Sequence, residues 1–161
     1  MALLGASCSS SGQPVPKSSQ TPEMQAFVTA FNAIGSDIRQ QTSRLQAANS
    51  TLLTPGQAAP QSYALAVSDL LKTAADRLGR LTSPPALRSY TQDLVDATRE
   101  NAVVWQRYAN QLSGSDSREA LATTSAGMEV DSQNAAEHFT AACTALKREA
   151  GTAGLSLDMD C

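Results

Sequence analysis

The sequence predicts an all-α protein: an up-down-up-down four-helix bundle behind a disordered N-terminal tether. Three observations lead there. Hydrophobic residues make up 42% of the 161-residue chain and aromatic residues only 4%, so Ala and Leu supply most of the apolar mass and favour helix over sheet. From Thr21 onward the apolar residues recur at alternating steps of three and four, the spacing of one helix face. Pro and Gly interrupt that pattern at Pro55-Gly56, Pro60, Pro84-Pro85 and Gly114, leaving four segments of about 20–34 residues. Short connections between such helices make antiparallel neighbours. The expected organisation is residues 1–20 as tether, 21–150 as bundle and 151–161 as tail.

The first helix begins at Thr21-Pro22-Glu23, a Thr cap followed by Pro at the first helical position. Its stripe is Met24, Phe27, Phe31, Ile34, Ile38, Leu45 and Leu52, with Gln41 and Ala48 in the remaining seam positions, and it is expected to end near Asn49. Thr54-Pro55-Gly56-Gln57 reads as a capping box for the second helix, with Pro60 moving the regular part slightly later. Tyr63, Val67, Leu70, Ala74 and Leu81 carry its stripe, widened by Leu71 and Leu78. Ser83-Pro84-Pro85 stops that helix and starts the third, since a residue before Pro is pushed out of helical geometry. The third stripe is Leu87, Tyr90, Leu94, Ala97, Val104, Tyr108 and Leu112, with Asn101 in the seam. Asp116 and Glu119 box the start of the fourth helix. That helix has the poorest stripe, Leu121, Ser125, Met128, Ser132, Ala135, Phe139, Ala142 and Leu146, and Gly151 and Gly154 end it.

Charge excludes two classes of partner. The net charge is −3, charged residues are 17% of the chain, and Lys and Arg are scattered, Lys147-Arg148 being the one adjacent pair. Nucleic-acid binding needs a concentrated positive face, and docking on acidic lipid needs a polybasic cluster. No apolar run approaches the ~18 residues of a spanning helix, so contact with a membrane would run through an anchor.

Such an anchor is suggested by the first twenty residues. Met1-Ala2-Leu3-Leu4-Gly5-Ala6-Ser7-Cys8 sets a short apolar run and two small residues directly before a cysteine. Ser9–Gln20 follows with five Ser, two Pro and two Gln, a composition that cannot pack and suits a flexible spacer. Together with the helix start Ser83-Pro84-Pro85-Ala86-Leu87 and the tail from Ala142-Cys143 through Gly154-Leu155 to Cys161, these segments resemble small bacterial cell-envelope lipoproteins built on a four-helix bundle. The resemblance spans most of the chain at the level of architecture. Gly5 stands where the lipoprotein pattern places Leu, Val or Ile, with Leu4 one step further back. The resemblance implies lipidation at Cys8, a recorded start that falls inside a longer or trimmed signal, and display on the periplasmic or outer side of the cell membrane. It implies no reaction.

Export in turn implies that Cys143 and Cys161 pair. The eleven residues Gly151–Cys161, at up to ~3.3 Å each, easily return to the level of Cys143, and Leu155 and Leu157 are placed to pack on the way. Closing that loop is worth on the order of 3 kcal/mol. Redox-active pairs are usually Cys-x-x-Cys, and metal sites want further Cys or His nearby, so the pair reads as a staple.

Catalytic chemistry has few places to sit. His138 is the only histidine, flanked by Glu137 and Phe139, with Glu129 and Asp131 two turns earlier. A ferritin-like di-metal centre would need Glu-x-x-His, and Ala135 occupies the Glu position. Covalent haem attachment needs Cys-x-x-Cys-His, which is absent, and nothing singles out ligation by His138 with Met24 or Met128. Gly12, Gly56 and Gly114 stand alone rather than in a phosphate loop. The expectation is therefore no enzyme, no metal and no cofactor. Tyr63, Tyr90, Trp105 and Tyr108 form the candidate ligand pocket, an aromatic-lined slot between helices for a small apolar molecule. Gln41, Asn101, Ser125 and Ser132 either line such a slot or set helix register. The leading functional reading is a lipid-anchored binding or scaffolding module of the envelope, with a membrane and an envelope protein as partners. The alternative is a carrier of a small apolar ligand.

Overall fold

The computed structural model describes residues 21–50, 61–113 and 118–161, the last segment with side chains from residue 126. Cys8, the 1–20 tether, Leu52, the Thr54–Gln57 box and Asp116 lie outside the described residues, as do the side chains of Leu121 and Ser125. Every regular element among the described residues is helical: α1 (Pro22–Ala48), α2 (Gln61–Gly79), a 3-10 turn (Pro85–Leu87), α3 (Arg88–Ser113) and α4 (Arg118–Thr152).

The local signals explain most of the boundaries. Thr21 Oγ1 accepts from the Met24 backbone N–H at 3.3 Å, with Pro22 in the first turn and Glu23 favourably placed at the positive end. Asn49 closes α1, its side-chain amide donating to Leu45 O at 2.8 Å. After α2, Pro84 and Pro85 remove two backbone donors, so the chain makes a tight turn first and the α-helix begins only at Arg88. Leu87, placed at the head of the third helix from sequence, therefore sits in this turn and is buried there.

The end of α4 is a Schellman cap. Leu155 N–H bonds to Ala150 O at 2.9 Å and Gly154 N–H to Gly151 O at 3.0 Å. Gly154 adopts φ 73°, which favours a residue without a Cβ. Of the two glycines assigned to the helix end, Gly154 performs that role and Gly151 lies within the last turn.

Packing divides into one large cluster and one small one. The large cluster combines Phe27, Phe31 and Ile34 of α1 with Leu78, Leu87, Leu94, Val95, Leu146 and the tail residues Leu155, Leu157 and Met159. The small one gathers Ala64, Tyr108 and Ala109 with Leu65, Trp105, Leu112 and Met128. Among the described elements α2 and α3 make the most extensive contact, and small side chains permit it. Ala64, Ser68, Ala75, Ala102 and Ala109 are all buried, and small residues at a helix contact allow the short end of the ~8–10 Å range of interaxial distances. Ser68 Oγ donates to Ala102 O at 2.9 Å, so its burial leaves no donor unpaired.

α1 is held differently. It packs on α2, but no described Cα of α1 lies within 8 Å of one in α4. The C-terminal tail fills that position. Leu155, Leu157 and Met159 are buried while Ser156, Asp158 and Asp160 are exposed, the period-two alternation of an extended segment. Asn32 of α1 clasps the tail backbone as a neighbouring strand would, donating to Ser156 O at 3.4 Å and accepting from Asp158 N–H at 2.7 Å. Arg39 donates to Asp158 O at 3.2 Å and pairs with its carboxylate at 3.0 Å. From the other side, Lys147 of α4 donates to Met159 O at 2.9 Å, and a disulfide joins Cys143 to Cys161 with their Cα atoms 5.6 Å apart. The tail is thus tied to α1 as well as to α4.

The tail crosses α1 closely at Gly35. A Cβ there would stand 2.9 Å from Asp158 O, whereas a Cβ at Gly151 would meet nothing within 4 Å. Replacing a helical Gly by Ala usually stabilises by roughly 0.5–1 kcal/mol. Gly151→Ala is expected to follow that rule. Gly35→Ala is expected to reverse it, costing about 1–2 kcal/mol because backbone must move. Urea denaturation of both variants reads the signs, and a stabilised Gly35→Ala would contradict the observed close approach.

Candidate functional site

Three of the four aromatic residues proposed for a pocket come together. Tyr63 meets Trp105 edge-on with ring centroids 5.9 Å apart, and Trp105 meets Tyr108 in the same manner at 6.2 Å. Their edge-to-face stacking joins α2 to α3 near the small cluster. Tyr90 does not join them. It lies fifteen residues from Trp105 on α3, about 22 Å along the helix, and packs against the large cluster.

Two of the polar seam residues, Gln41 and Ser132, are satisfied locally. Gln41 donates to Asp37 at 3.0 Å and Ser132 to Glu129 O at 3.0 Å, and Asn101 is half-buried. Among the described residues the buried serine and threonine hydroxyls are those of Ser68, Ser83, Thr91 and Thr98 instead, the two threonines donating to Leu87 O and Leu94 O. A hydrophobic stripe does not flag such residues, because a Thr that bonds its own helix behaves in packing like a small apolar side chain.

His138 lies on the exposed side of α4, its Nδ1 2.6 Å from Glu100 Oε2 of α3. The carboxylates flagged beside it go elsewhere: Glu137 accepts from Gln133 and Asp131 pairs with Arg107 at 3.0 Å. Met24 packs in the large cluster and Met128 in the small one, so His138 is brought together with neither. Among the described residues no group of three His, Cys, Asp or Glu side chains converges as metal ligands would.

Among the described residues one titratable group is clearly perturbed. The Arg77 guanidinium beside Asp37, with the Gln41 amide as a second donor, holds the Asp37 carboxyl below its ordinary range. A carboxylate whose folded value is depressed contributes stability above its unfolded value of ~3.9 and loses it as pH falls through the lower folded value. Asp37→Asn is therefore expected to lower Tm near neutral pH, with the gap to the parent closing below about pH 3.9. Paired thermal melts across that range test it, and a gap that widens in acid would be the wrong sign.

The feature that sequence reading missed lies beneath the tail. An apolar cavity of about 100 Å³ opens where α1, α2, α3, α4 and the tail converge. Gly35, Ile38, Leu71, Ala74, Phe139 and Met159 form much of its wall, and Arg39 and Asp160 stand at its polar edge. The signal that could have found it is the alternation Leu155-x-Leu157-x-Met159, which marks an extended segment with one buried face.

No described helix is long and apolar enough to cross a membrane. No family model, no curated protein and no solved structure matches the chain.

Proposed function

We propose that the chain is a non-enzymatic, lipid-anchored module of the bacterial envelope, an up-down-up-down four-helix bundle that binds or scaffolds other envelope components. The contacts between consecutive helices support that topology, because they run in opposite senses. Asp37 faces Arg77, while Leu45, further along α1, faces Ala66 and Leu70. Tyr63 faces Trp105, Ser68 faces Ala102, and Gly79 faces Val95. Glu100 faces His138 and Arg107 faces Asp131.

The single observation that carries the location is the Cys143–Cys161 disulfide. Structural disulfides persist in oxidising compartments and are rare where thiols are kept reduced. Cys8 supplies the anchor in this reading, and Ser9–Gln20 the spacer between it and the module. Retention on the membrane then depends on lipid chains at Cys8, since no polybasic patch supplements them. Expression of the full gene with Cys8→Ser is expected to move the protein from the membrane fraction into the soluble extracytoplasmic fraction. An unchanged distribution, or a parent protein found in the cytosol, would overturn the reading.

A further inference from the structure

The cavity beneath the tail is the least expected part of the molecule. Close-packed interiors hold few voids larger than a water molecule, and an empty one is destabilising because its lining atoms lack partners. This one is partly open to solvent: it is bounded by all four helices and the tail, with Ile38, Leu71 and Phe139 half-buried, Met159 in the wall and Asp160 exposed at the edge.

Its chemistry selects the guest. Thr98, the hydroxyl in the lining, already donates to Leu94 O at 2.7 Å. Arg39 is engaged by Asp158 through both backbone and side chain. Ile38, Leu71, Ala74, Leu78, Phe139 and Met159 offer only carbon and sulfur. A buried water needs two to four polar partners, whereas apolar cavities stay dry and take apolar guests; one of about 150 Å³ takes benzene or xenon. At about 100 Å³ the limit is a single small ring or a few carbons.

The tail is the one wall that is not a helix. Met159 is held by Lys147 through its carbonyl and by the disulfide two residues further on. Opening the disulfide leaves the Lys147 bond, the ion pairs of Arg39 and the Asn32 clasp as the remaining ties. We propose that this cavity is a binding site for one small, neutral, apolar molecule, and that the Cys143–Cys161 disulfide sets how readily the tail lets it enter and leave. The site is independent of any lipid on Cys8, and it lies apart from the Tyr63, Trp105 and Tyr108 cluster.

Xenon titrated into the oxidised full-length protein, read by methyl NMR, tests the site. Saturable shifts are expected at Met159, Ile38, Leu71 and Leu78 and none at the exposed Val103 and Val130. The shifts should disappear in Ala74→Leu and in Leu71→Phe, two separate ways of filling the space. Shifts spread evenly over all methyls, or retained in a folded filling variant, would overturn the proposal, as would no saturable shift in the parent protein. Cys161→Ser is expected to speed guest exchange at least tenfold, and an unchanged exchange rate would overturn the gating by the disulfide.

Discussion

Deletion of Leu155–Cys161 is expected to abolish the cooperative unfolding transition, whereas opening the disulfide alone should only shift it. The difference follows from what each change removes. Leu155, Leu157 and Met159 are 5%, 6% and 6% exposed, and burial of such side chains contributes up to ~1.5–3 kcal/mol each. Together they approach the lower part of the ~5–15 kcal/mol that holds an ordinary domain folded. They also fill the place between α1 and α4, so their loss would uncover Phe27, Phe31 and Ile34. The double variant Cys143→Ser/Cys161→Ser keeps that packing and gives up only the closure of a loop with a sequence separation of 18, worth about 3 kcal/mol. Urea melts of the two proteins side by side decide the matter. Equal midpoints would mean that the tail contributes through its covalent link alone.

Phe31→Ala should cost about 3–5 kcal/mol, the largest loss expected from a single core substitution here. Phe31 has no exposed surface and lies 5.7 Å, centroid to centroid, from the Phe27 ring. α1 lacks the small-residue interlock that joins α2 to α3, so its attachment rests on Phe27, Phe31, Ile34 and the tail. The damage should therefore be local first. Amide exchange in α1 is expected to accelerate more than exchange in α3, which keeps its contacts to α2 and α4. Val103→Ala, at a position 53% exposed, should change stability by no more than ~0.5 kcal/mol. An effect of Phe31→Ala as small as that of Val103→Ala would contradict the assignment of Phe31 to the core.

Helix punctuation was legible because it is local chemistry. The Thr21-Pro22 start, the Asn49 end and the break at Pro84-Pro85 each depend on neighbours in the chain. Phe27, Phe31, Ile34, Leu94 and Leu146 were also legible, since a large side chain at helical spacing has few places to go but inward. The α2–α3 contact was not. The stripe expected for α2 is right at Ala74 and Leu78 but also runs through Val67 and Leu70, which are half-buried, while Ala64, Ser68 and Ala75 take the other buried positions. Close helix approach selects for small volume rather than hydrophobicity, and a hydrophobic pattern is blind to volume.

The tail shows the same division. Packing of Leu155 and Leu157 and a link from Cys161 to Cys143 followed from chain length and the resemblance to envelope lipoproteins. The groove that receives them did not, because Asn32, Gly35 and Arg39 look in sequence like an ordinary polar flank of α1. Their role depends on residues more than a hundred positions away. The candidate pocket failed to form as one unit for a simple metrical reason: Tyr90 and Trp105 share a helix face but are separated by about four turns.

The most direct measurement is the intact mass of the protein isolated from its native membranes after expression of the full gene. The proposed envelope module predicts a chain beginning at Cys8 that carries diacylglycerol and acyl mass and is two hydrogens short at Cys143 and Cys161. A bare polypeptide with all three cysteines as free thiols would contradict both the anchor and the staple.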